Sequence, residues 1–397
     1  MQKDISVFTQ WKKTEHWSIS QKGDLVLSSC ALSQILLGIV QGVLIAYGMD
    51  EKSSTLYRVV LSAIPVLIAF PILIKRKATL VVSIYFIIIL IYAFHTIAFP
   101  STIVYWHKEA TRFTLPISVP CALCVIAVKE KQVFYYVLKL LAYISGFLCL
   151  LYGLSIYTGR YDIGFSYNQG IGYALLFPIL VLFYDRKWYS LFFSAILMLI
   201  CLLYGSRGPI LSIGLFVVYY LFVKKKYFYM IALALFLLVG ISLLESFIES
   251  QGLSSRTLEL YLSGDLDNDN GRDVITAEIM KGINQRPLTG WGIFGDRVIT
   301  GGANYAHSLI REIWAEFGLY LGTLILGLFA FKIIKTFLKL QGVDRDMFSL
   351  FLFACVAPVL VSGSYLTNTN FAVFIGVMYM LSPNKKRLYK KLDSNKK

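Results

Sequence analysis

The sequence predicts an all-α polytopic membrane protein with about twelve transmembrane helices and one large extracytoplasmic loop. The chain has 397 residues, of which 57% are hydrophobic and 15% are charged, and its mean hydropathy is +0.66. Soluble domains carry about 25% charged residues. The apolar residues are gathered in blocks, most of them close to the ~20 residues that a bilayer-spanning helix needs. Composition and block length therefore both favour helices that cross a membrane.

Twelve apolar blocks follow one another along the chain. They lie at 25–47, 57–74, 79–99, 113–128, 133–158, 170–184, 188–204, 209–223, 227–244, 309–331, 348–363 and 369–382. A long polar stretch separates the ninth block from the tenth. We therefore divide the chain into a cytoplasmic N-terminal segment, helices 1–9, a large extracytoplasmic loop, helices 10–12 and a basic cytoplasmic tail, at residues 1–24, 25–244, 245–306, 307–382 and 383–397.

Basic residues in the short loops give the expected orientation. Cytoplasmic loops are enriched in Lys and Arg, and most of the 38 basic residues fall in alternate loops and in the two terminal segments. We therefore expect both termini in the cytoplasm and the chain in the cytoplasmic (inner) membrane. The formal net charge of +15 follows from this bias and from attraction to anionic lipid, so it indicates no nucleic-acid partner.

The cysteines suggest no chemistry. All six fall inside apolar blocks, and Cys121 and Cys124 have the CxxC spacing that can bind a metal or exchange disulfides when it occurs in a loop. Cysteine in an apolar helix usually packs as a small hydrophobic residue. We therefore predict neither a metal site nor a cofactor here.

The polar stretch at 245–306 contains structural signals of its own. Asp273 is a plausible N-cap for a helix in which Ile275, Ile279 and Ile283 recur at four-residue spacing on one face. Pro287 ends that helix, because proline cannot donate the next backbone hydrogen bond. Loops this long inside a folded chain are usually functional.

Four residues around this loop are candidates for a binding or catalytic site. Arg207 lies in a hairpin before the eighth block, and Arg272 opens the predicted loop helix. His307 stands just before the tenth block, and a helix beginning there would place it one turn from Arg311 on the same face, with Glu312 pointing elsewhere. Arginine grips phosphate oxygens in pairs, and a histidine can accept the proton of a sugar hydroxyl. An anionic, lipid-linked diphosphate would suit such a group.

Simpler roles fit the same residues. A single histidine at a helix start is often only a polar interface residue, and outward arginines can contact lipid headgroups. Arg112 and Arg160 fit the headgroup interpretation better than a catalytic one. Composition and spacing leave these alternatives open.

Three motifs in order resemble the O-antigen ligase and polymerase superfamily. Residues 305–318 resemble its hallmark, a histidine followed by an apolar run and Glu-x-Gly. Residues 206–209 resemble its Ser/Thr-Arg-Gly/Ala hairpin. Gly271 and Arg272, with 287–292, resemble its loop pattern of Gly-Arg, a helix, Pro and then Gly-x-Gly. The likeness covers roughly 190–330.

The resemblance implies a metal-independent integral membrane glycosyltransferase that uses an undecaprenyl-diphosphate-linked oligosaccharide donor and a glycan acceptor. It implies that His307 is the catalytic base and that Arg207 and Arg272 bind the diphosphate. Arg311 is added to the binding residues from helical spacing alone. The prediction is a surface polysaccharide (O-antigen or capsule) polymerase without a cofactor, embedded in the lipid bilayer. A flippase and chain-length regulator proteins are further candidate partners.

Two other functions stay open at this stage. A ligase would carry the same motifs but transfer the glycan to a terminal acceptor. A lipid-linked oligosaccharide transporter or flippase belongs to another class, and transporters usually show interrupted helices in matched halves and ionisable groups near the midplane. Pro65, Pro71, Pro178 and Pro358 do not fall in corresponding positions, so the enzyme is favoured.

Overall fold

A computed structural model describes residues 17–157, 169–203, 207–231, 272–302 and 304–382, and these residues are all helix, turn or loop without a strand. The first half contains α1 Ile19–Ala46, α2 Glu51–Ala98, α3 Ile103–Tyr105, a π-helix Trp106–Ser118, α4 Val119–Ala127, α5 Lys131–Tyr157, α6 Gln169–Asp185, α7 Trp188–Leu203 and α8 Arg207–Val223. A short 3₁₀-helix, Pro100–Thr102, precedes α3.

The second half contains shorter helices, several of them outside any apolar block. They are α9 Arg272–Gln285, α10 Gly295–Ile299, α11 Leu309–Phe317, α12 Leu319–Lys339, α13 Gly342–Phe351, a second π-helix Leu352–Val356, α14 Ala357–Val361 and α15 Thr369–Leu381. The all-α class predicted from the sequence is therefore confirmed for the described residues.

Five helical stretches in the described residues are long and apolar enough to cross a membrane. They are Ile19–Ile45, Lys52–Ala98, Pro100–Ala127, Lys131–Tyr152 and Leu319–Lys339. Four shorter apolar helices accompany them, at Ile171–Asp185, Trp188–Cys201, Gly208–Val223 and Thr369–Leu381. An integral membrane protein is supported, while the number twelve and the cytoplasmic position of both termini stay predictions.

Several predicted segments lie outside the described residues. They are most of the N-terminal segment, the greater part of the ninth block, the first part of the large loop and the basic tail, with Arg160 and Gly271.

One predicted break is present in the structure, and one predicted boundary was wrong. The break expected between the second and third blocks, 57–74 and 79–99, lies at Lys77 (φ −145°, ψ 32°), inside the stretch α2. At about 1.5 Å per residue, the 48 residues of α2 are far longer than the ~30 Å hydrocarbon core, and the kink at Lys77 divides them into two helices. The tenth block, 309–331, is split at Gly318 into the amphipathic α11 and the apolar α12.

The described chain forms two compact units. The first comprises Ser33–Leu61 with the described residues of Tyr135–Asn268. Inside it, the buried carboxylate of Asp185 accepts hydrogen bonds from Lys139 Nζ at 2.8 Å and from Ser190 Oγ at 2.9 Å. The Tyr143 hydroxyl donates to the same carboxylate at 3.1 Å. A buried carboxylate is stable only with such partners, so this group ties α5, α6 and the start of α7 together.

The second unit comprises residues 17–32, 62–134 and 272–382 of the described chain. The carboxylate of Asp24 is fully buried, pairs with Arg76 and accepts hydrogen bonds from the backbone N–H groups of Lys129 and Glu130, each at 3.0 Å. Arg76 also donates to the carbonyl of Ser20 at 2.8 Å. These bonds join α1, the break in α2 and the turn before α5. This unit also contains the loop helices and three of the four candidate site residues.

Candidate functional site

Helix α9 packs against the segments that carry the candidate site. The predicted apolar face is confirmed, because Ile279 and Ile283 are buried against Ala306 and Ala315, and Ile275 packs beside them. The helix begins by Arg272, so Asp273 lies in its first turn and is not the N-cap that the sequence suggested. An acidic side chain in the first turn is still stabilised by the positive end of the helix dipole.

The loop after α9 runs along the end of α11. The N–H of Trp291 donates to the carbonyl of Ala315 at 2.8 Å, and that of Gly292 donates to Glu316 at 3.0 Å. The last carbonyls of a helix need such outside donors. In return, Leu319 N–H donates to the carbonyl of Pro287 at 2.7 Å. The Pro-to-Gly-x-Gly loop, 287–292, and the Glu-x-Gly turn, 316–318, therefore lie against each other and are joined by backbone hydrogen bonds.

Glycine is required where these two segments meet. Gly318 has φ +77° and ψ 167°, a conformation open essentially to glycine alone. A Cβ atom on Gly318 would lie 2.6 Å from the carbonyl oxygen of Pro287. On Gly290 (φ +64°), it would lie 2.3 Å from the carbonyl oxygen of Glu316. The split between α11 and α12 is thus built into the sequence by Gly318.

His307 is held in an unusual backbone conformation. Its φ is +50°, which is uncommon for a residue with a Cβ and often marks a functional position. Its half-buried ring lies against the ring of Tyr305, with 4.0 Å between the centroids. Its Nδ1 is 3.4 Å from the carbonyl oxygen of Ser362, which also accepts the Tyr305 hydroxyl at 3.0 Å.

This geometry fixes the role of each ring nitrogen. A carbonyl oxygen can only accept, so Nδ1 carries the proton in the neutral ring and Nε2 keeps its lone pair. Burial lowers the pKa of His307 below its ordinary 6.5; the Ser362 contact opposes this shift, while the charges of Arg272, Arg311 and Arg297 add to it. The ring is therefore neutral, and able to accept a proton, over a wider pH range than an exposed histidine.

Two of the predicted arginines lie around this ring. Arg272 donates from Nη2 to the hydroxyl of Ser362 at 3.3 Å, and within the described residues no carboxylate pairs with it. Arg311 donates from Nε and Nη2 to the carbonyl of Ala306, at 3.4 and 3.3 Å. The structure therefore gathers His307, Arg272 and Arg311, and their proposed roles stay predictions.

The reason given for placing Arg311 near His307 was wrong. Helix α11 begins at Leu309, after Ser308, so His307 lies outside it in a left-handed conformation. The two side chains approach because Arg311 folds back onto the carbonyl before His307. Arg207 begins α8 in the first unit, and its side chain lies outside the described residues.

A buried cluster of charged side chains lies beside the segments that hold His307, and the sequence did not predict it. The Arg297 guanidinium donates to Asp296 at 2.8 Å and to Glu312 at 2.6 Å from Nη1. Its Nη2 donates to Ser364 at 2.8 Å and to Glu109 at 3.2 Å. Burial alone would lower the pKa of Arg297, but the carboxylates of Asp296, Glu312 and Glu109 outweigh it and hold that pKa well above the ordinary value.

A further buried carboxyl group, that of Glu316, lies close to Asp296 and Glu312. Glu316 accepts the N–H of Phe294 at 3.0 Å and is hydrogen-bonded to the hydroxyl of Tyr365. Burial raises the pKa of Glu316 well above 4.5, and the negative charges of Glu312 and Asp296 raise it further. Glu316 therefore binds a proton more readily than an exposed glutamate does.

The carboxylates could in principle attract a cation. Oxygen atoms of Asp296, Glu312 and Glu316 lie within 4.8 Å of one another. However, Arg297 Nη1 already bonds both Asp296 and Glu312, so a metal ion would have to displace a positive charge that is in place. The donor set fits a buried guanidinium better than a metal.

One sequence signal could have revealed this cluster. Glu312 and Glu316 are four residues apart, so they share a face of α11 and would repel each other in solvent. The same face carries Leu309 and Ala315, which are buried. Two acids on a buried face require a cation, although the spacing does not say that it is Arg297.

The family comparison agrees with the motif resemblance. Residues 191–327 match the family model described as O-Antigen ligase, and this segment contains Arg207, Arg272, His307 and Arg311. Comparisons with curated proteins and with solved structures gave no match. The resemblance to the O-antigen ligase and polymerase superfamily is thus confirmed over about a third of the chain.

The glycine contact leads to a matched pair of variants. We expect Gly318→Ala to destabilise the protein by at least about 1–3 kcal/mol, because the new side chain is strained and meets the Pro287 carbonyl. Gly327→Ala in the adjoining α12 is the control, since its Cβ would meet nothing within 4 Å and alanine favours a helix by about 1 kcal/mol. Denaturant unfolding in detergent measures both. Equal stability of the two variants would contradict the proposed contact.

Proposed function

We propose that this chain is a glycosyltransferase that polymerises surface polysaccharide (O-antigen or capsule) at the outer face of the cytoplasmic membrane. The donor would be an undecaprenyl-diphosphate-linked oligosaccharide, and the acceptor another lipid-linked repeat unit. The observation that carries the proposal is the convergence of the His307 ring and the Arg272 guanidinium on Ser362, with Arg311 beside them. A neutral base next to guanidinium groups suits transfer from a diphosphate.

The base would be Nε2 of His307. The hydroxyl oxygen of the acceptor sugar attacks the anomeric carbon of the donor, and the proton of that hydroxyl passes to Nε2. The bond between the anomeric carbon and the phosphate oxygen breaks, and its electron pair leaves with the lipid diphosphate. Because Nδ1–H points at the Ser362 carbonyl, the charge of the imidazolium is stabilised by that oxygen as it forms.

The arginines would hold the leaving group. The negative charge on the diphosphate grows as the bond breaks, and a guanidinium fork stabilises it through paired hydrogen bonds. Arg272 supports this role best, since no carboxylate in the described residues competes for it. We assign Arg311 to the same ligand from its place beside His307, while Arg207 stays a predicted diphosphate-binding residue on the family motif alone.

The reaction as proposed uses no metal and no cofactor. Lewis acids usually neutralise a leaving diphosphate, but arginine side chains can supply the same positive charge. Of the three carboxylates that lie close enough together to share a metal ion, Asp296 and Glu312 are already bonded to Arg297. The orientation proposed here, with 245–306 on the extracytoplasmic side of the membrane and both termini in the cytoplasm, follows from the distribution of basic residues.

A ligase is the second candidate, and the description of the matching family favours it. A ligase would pass the glycan to a terminal acceptor instead of to another repeat unit. The chemistry at His307 is the same for both, so only the fate of the glycan separates them.

Glycan length in cells tests both the base and the product. We expect His307→Gly to abolish transfer, because it removes the base; glycine accepts φ +50° without the strain that alanine would add. Surface glycan resolved by gel should then show single-repeat chains on the final acceptor if the protein is a polymerase. Polymer retained on its lipid carrier would indicate a ligase. A wild-type pattern from a normally inserted variant would contradict the catalytic assignment.

Replacing Arg272 by lysine tests the diphosphate site. A lysine keeps the charge but loses the planar fork, so we expect Arg272→Lys to raise the donor KM by about tenfold, the equivalent of about 1.4 kcal/mol. The control is Arg112→Lys, since Arg112 is exposed on the π-helix and makes no described contact with the site. The measurement is a transfer assay in detergent with purified lipid-linked donor. An equal effect of both changes would argue against a specific role for Arg272.

The pH dependence follows from the environment of His307. Transfer needs the neutral ring, so activity should be present above the pKa of His307 and be lost as the pH falls through it. Because burial and nearby arginines lower that pKa below 6.5, activity should persist at more acidic pH than an ordinary histidine allows. If kcat were instead already lost at a pH above 7 as the solution is acidified, the result would contradict this environment of His307.

A further inference from the structure

The cluster around Arg297 takes no direct part in the proposed transfer, yet its bonds lead to His307 from two directions. We define the Arg297 cluster as Asp296, Arg297, Glu312 and Ser364. Asp296, Arg297 and Glu312 are each at most 3% exposed. Burying such a group costs desolvation free energy, so its position next to the segments that hold His307 requires an explanation.

The first connection runs through the backbone before His307. The carboxylate of Asp296 accepts the N–H of Ala306 at 2.8 Å, and Ala306 is directly bonded to His307. A left-handed conformation at a residue with a Cβ persists only when its surroundings hold it there. The bond to Ala306 fixes the Tyr305–Ala306 peptide, one residue before that strained residue.

The second connection runs through the segment that faces the ring. Glu312 accepts the hydroxyl of Ser364 and the N–H of Tyr365, the latter at 3.0 Å. Ser362 lies two residues earlier, and its carbonyl contacts both Nδ1 of His307 and the hydroxyl of Tyr305. Glu312 thereby positions the oxygen that sets which nitrogen of His307 is the base.

Arg297 joins the two connections. Its Nη1 bonds Asp296 on one side and Glu312 on the other, and its Nη2 bonds Ser364. We propose that Arg297 is a positioning residue: it locks the backbone of His307 and the Ser362 carbonyl into one arrangement, and thereby aims Nε2 at the acceptor hydroxyl. This inference rests on the proposed function of His307.

Direct binding of the diphosphate by Arg297 fits the geometry less well. The side chain is 3% exposed, and both Nη atoms are hydrogen-bonded to groups of the protein itself. Arg272 and Arg311 are the guanidinium groups on the more open side. Arg297 therefore acts on the ring through the protein, while the other two are placed to act on the substrate.

Lysine is the sharpest substitution for this residue. Arg297→Lys keeps the positive charge, so the buried carboxylates remain neutralised, but a single ammonium cannot hold Asp296, Glu312 and Ser364 in one plane. We expect kcat to fall by about 100-fold, the loss typical of a reacting group misplaced by ~1 Å. The donor KM should stay within about twofold, because the phosphate-binding arginines are untouched. Arg112→Lys is again the control.

Chemical rescue separates positioning from other roles. Imidazole added to His307→Gly would supply a free base that needs no alignment by the protein. If Arg297 acts by positioning His307, Arg297→Lys should lower the rescued rate by less than about threefold, against about 100-fold in the enzyme with His307. An equal loss in both backgrounds would overturn the proposal, and so would an unchanged kcat in Arg297→Lys alone.

A pH profile decides the matter if imidazole does not restore activity. The charges facing His307 are those of Arg272, Arg311 and residue 297, and all three remain in Arg297→Lys. A loosened ring is less buried, so its pKa should rise and the acid limb of kcat should move to higher pH. If kcat falls but the acid limb of its pH profile does not move, the loss reflects only a smaller folded fraction, and the positioning role of Arg297 is rejected.

The outcomes for the two proposals are distinguishable. Full activity of His307→Gly would remove the catalytic base from the proposed function whatever Arg297 does. An inactive His307→Gly together with an unaltered Arg297→Lys would leave the proposed function intact and reject only the positioning role. Thermal unfolding of each purified variant checks that the protein has folded.

Discussion

The arrangement of the second unit depends on one buried guanidinium. Arg297 bonds the side chains of Glu109 from the π-helix, Asp296 beside it, Glu312 of α11 and Ser364 from the segment after α14. Leaving a buried charge without its partner is worth roughly 3–5 kcal/mol of lost stability. Pulling any of the charged segments away would therefore cost stability, which makes the end of the large loop part of the folded core.

This constraint also explains why α11 is not the beginning of a membrane span. Its carboxylates face the Arg297 cluster and Tyr365, so the helix must remain beside the loop that supplies these partners. Gly318 then allows the chain to turn into α12, whose apolar surface is largely exposed, as expected for contact with lipid. The loop 287–292 completes the turn by bonding the last carbonyls of α11.

Local patterns predicted one helix of the candidate site correctly, because the four-residue recurrence of isoleucine gave α9. The order of the motifs pointed to His307 and Arg272, whose roles stay predictions. Patterns that depended on an assumed helix start were wrong: Asp273 is inside α9, and His307 is outside α11. Hydropathy also wrongly predicted α11 and α12 as one block. The mean hydropathy of 309–331 is high because its many apolar residues outweigh the two buried glutamates of α11.

The sequence by itself determined the all-helical class, the membrane-spanning character and the residue types of the site, since these follow from composition, block length and short motifs. Only the tertiary structure decided which charges are buried and paired. The partners of Arg297 include Ser364, 67 residues away, and Glu109, 188 residues away, and Arg272 meets Ser362 across 90 residues. Coulomb interaction and hydrogen bonding act through space, so no periodicity along the chain records them.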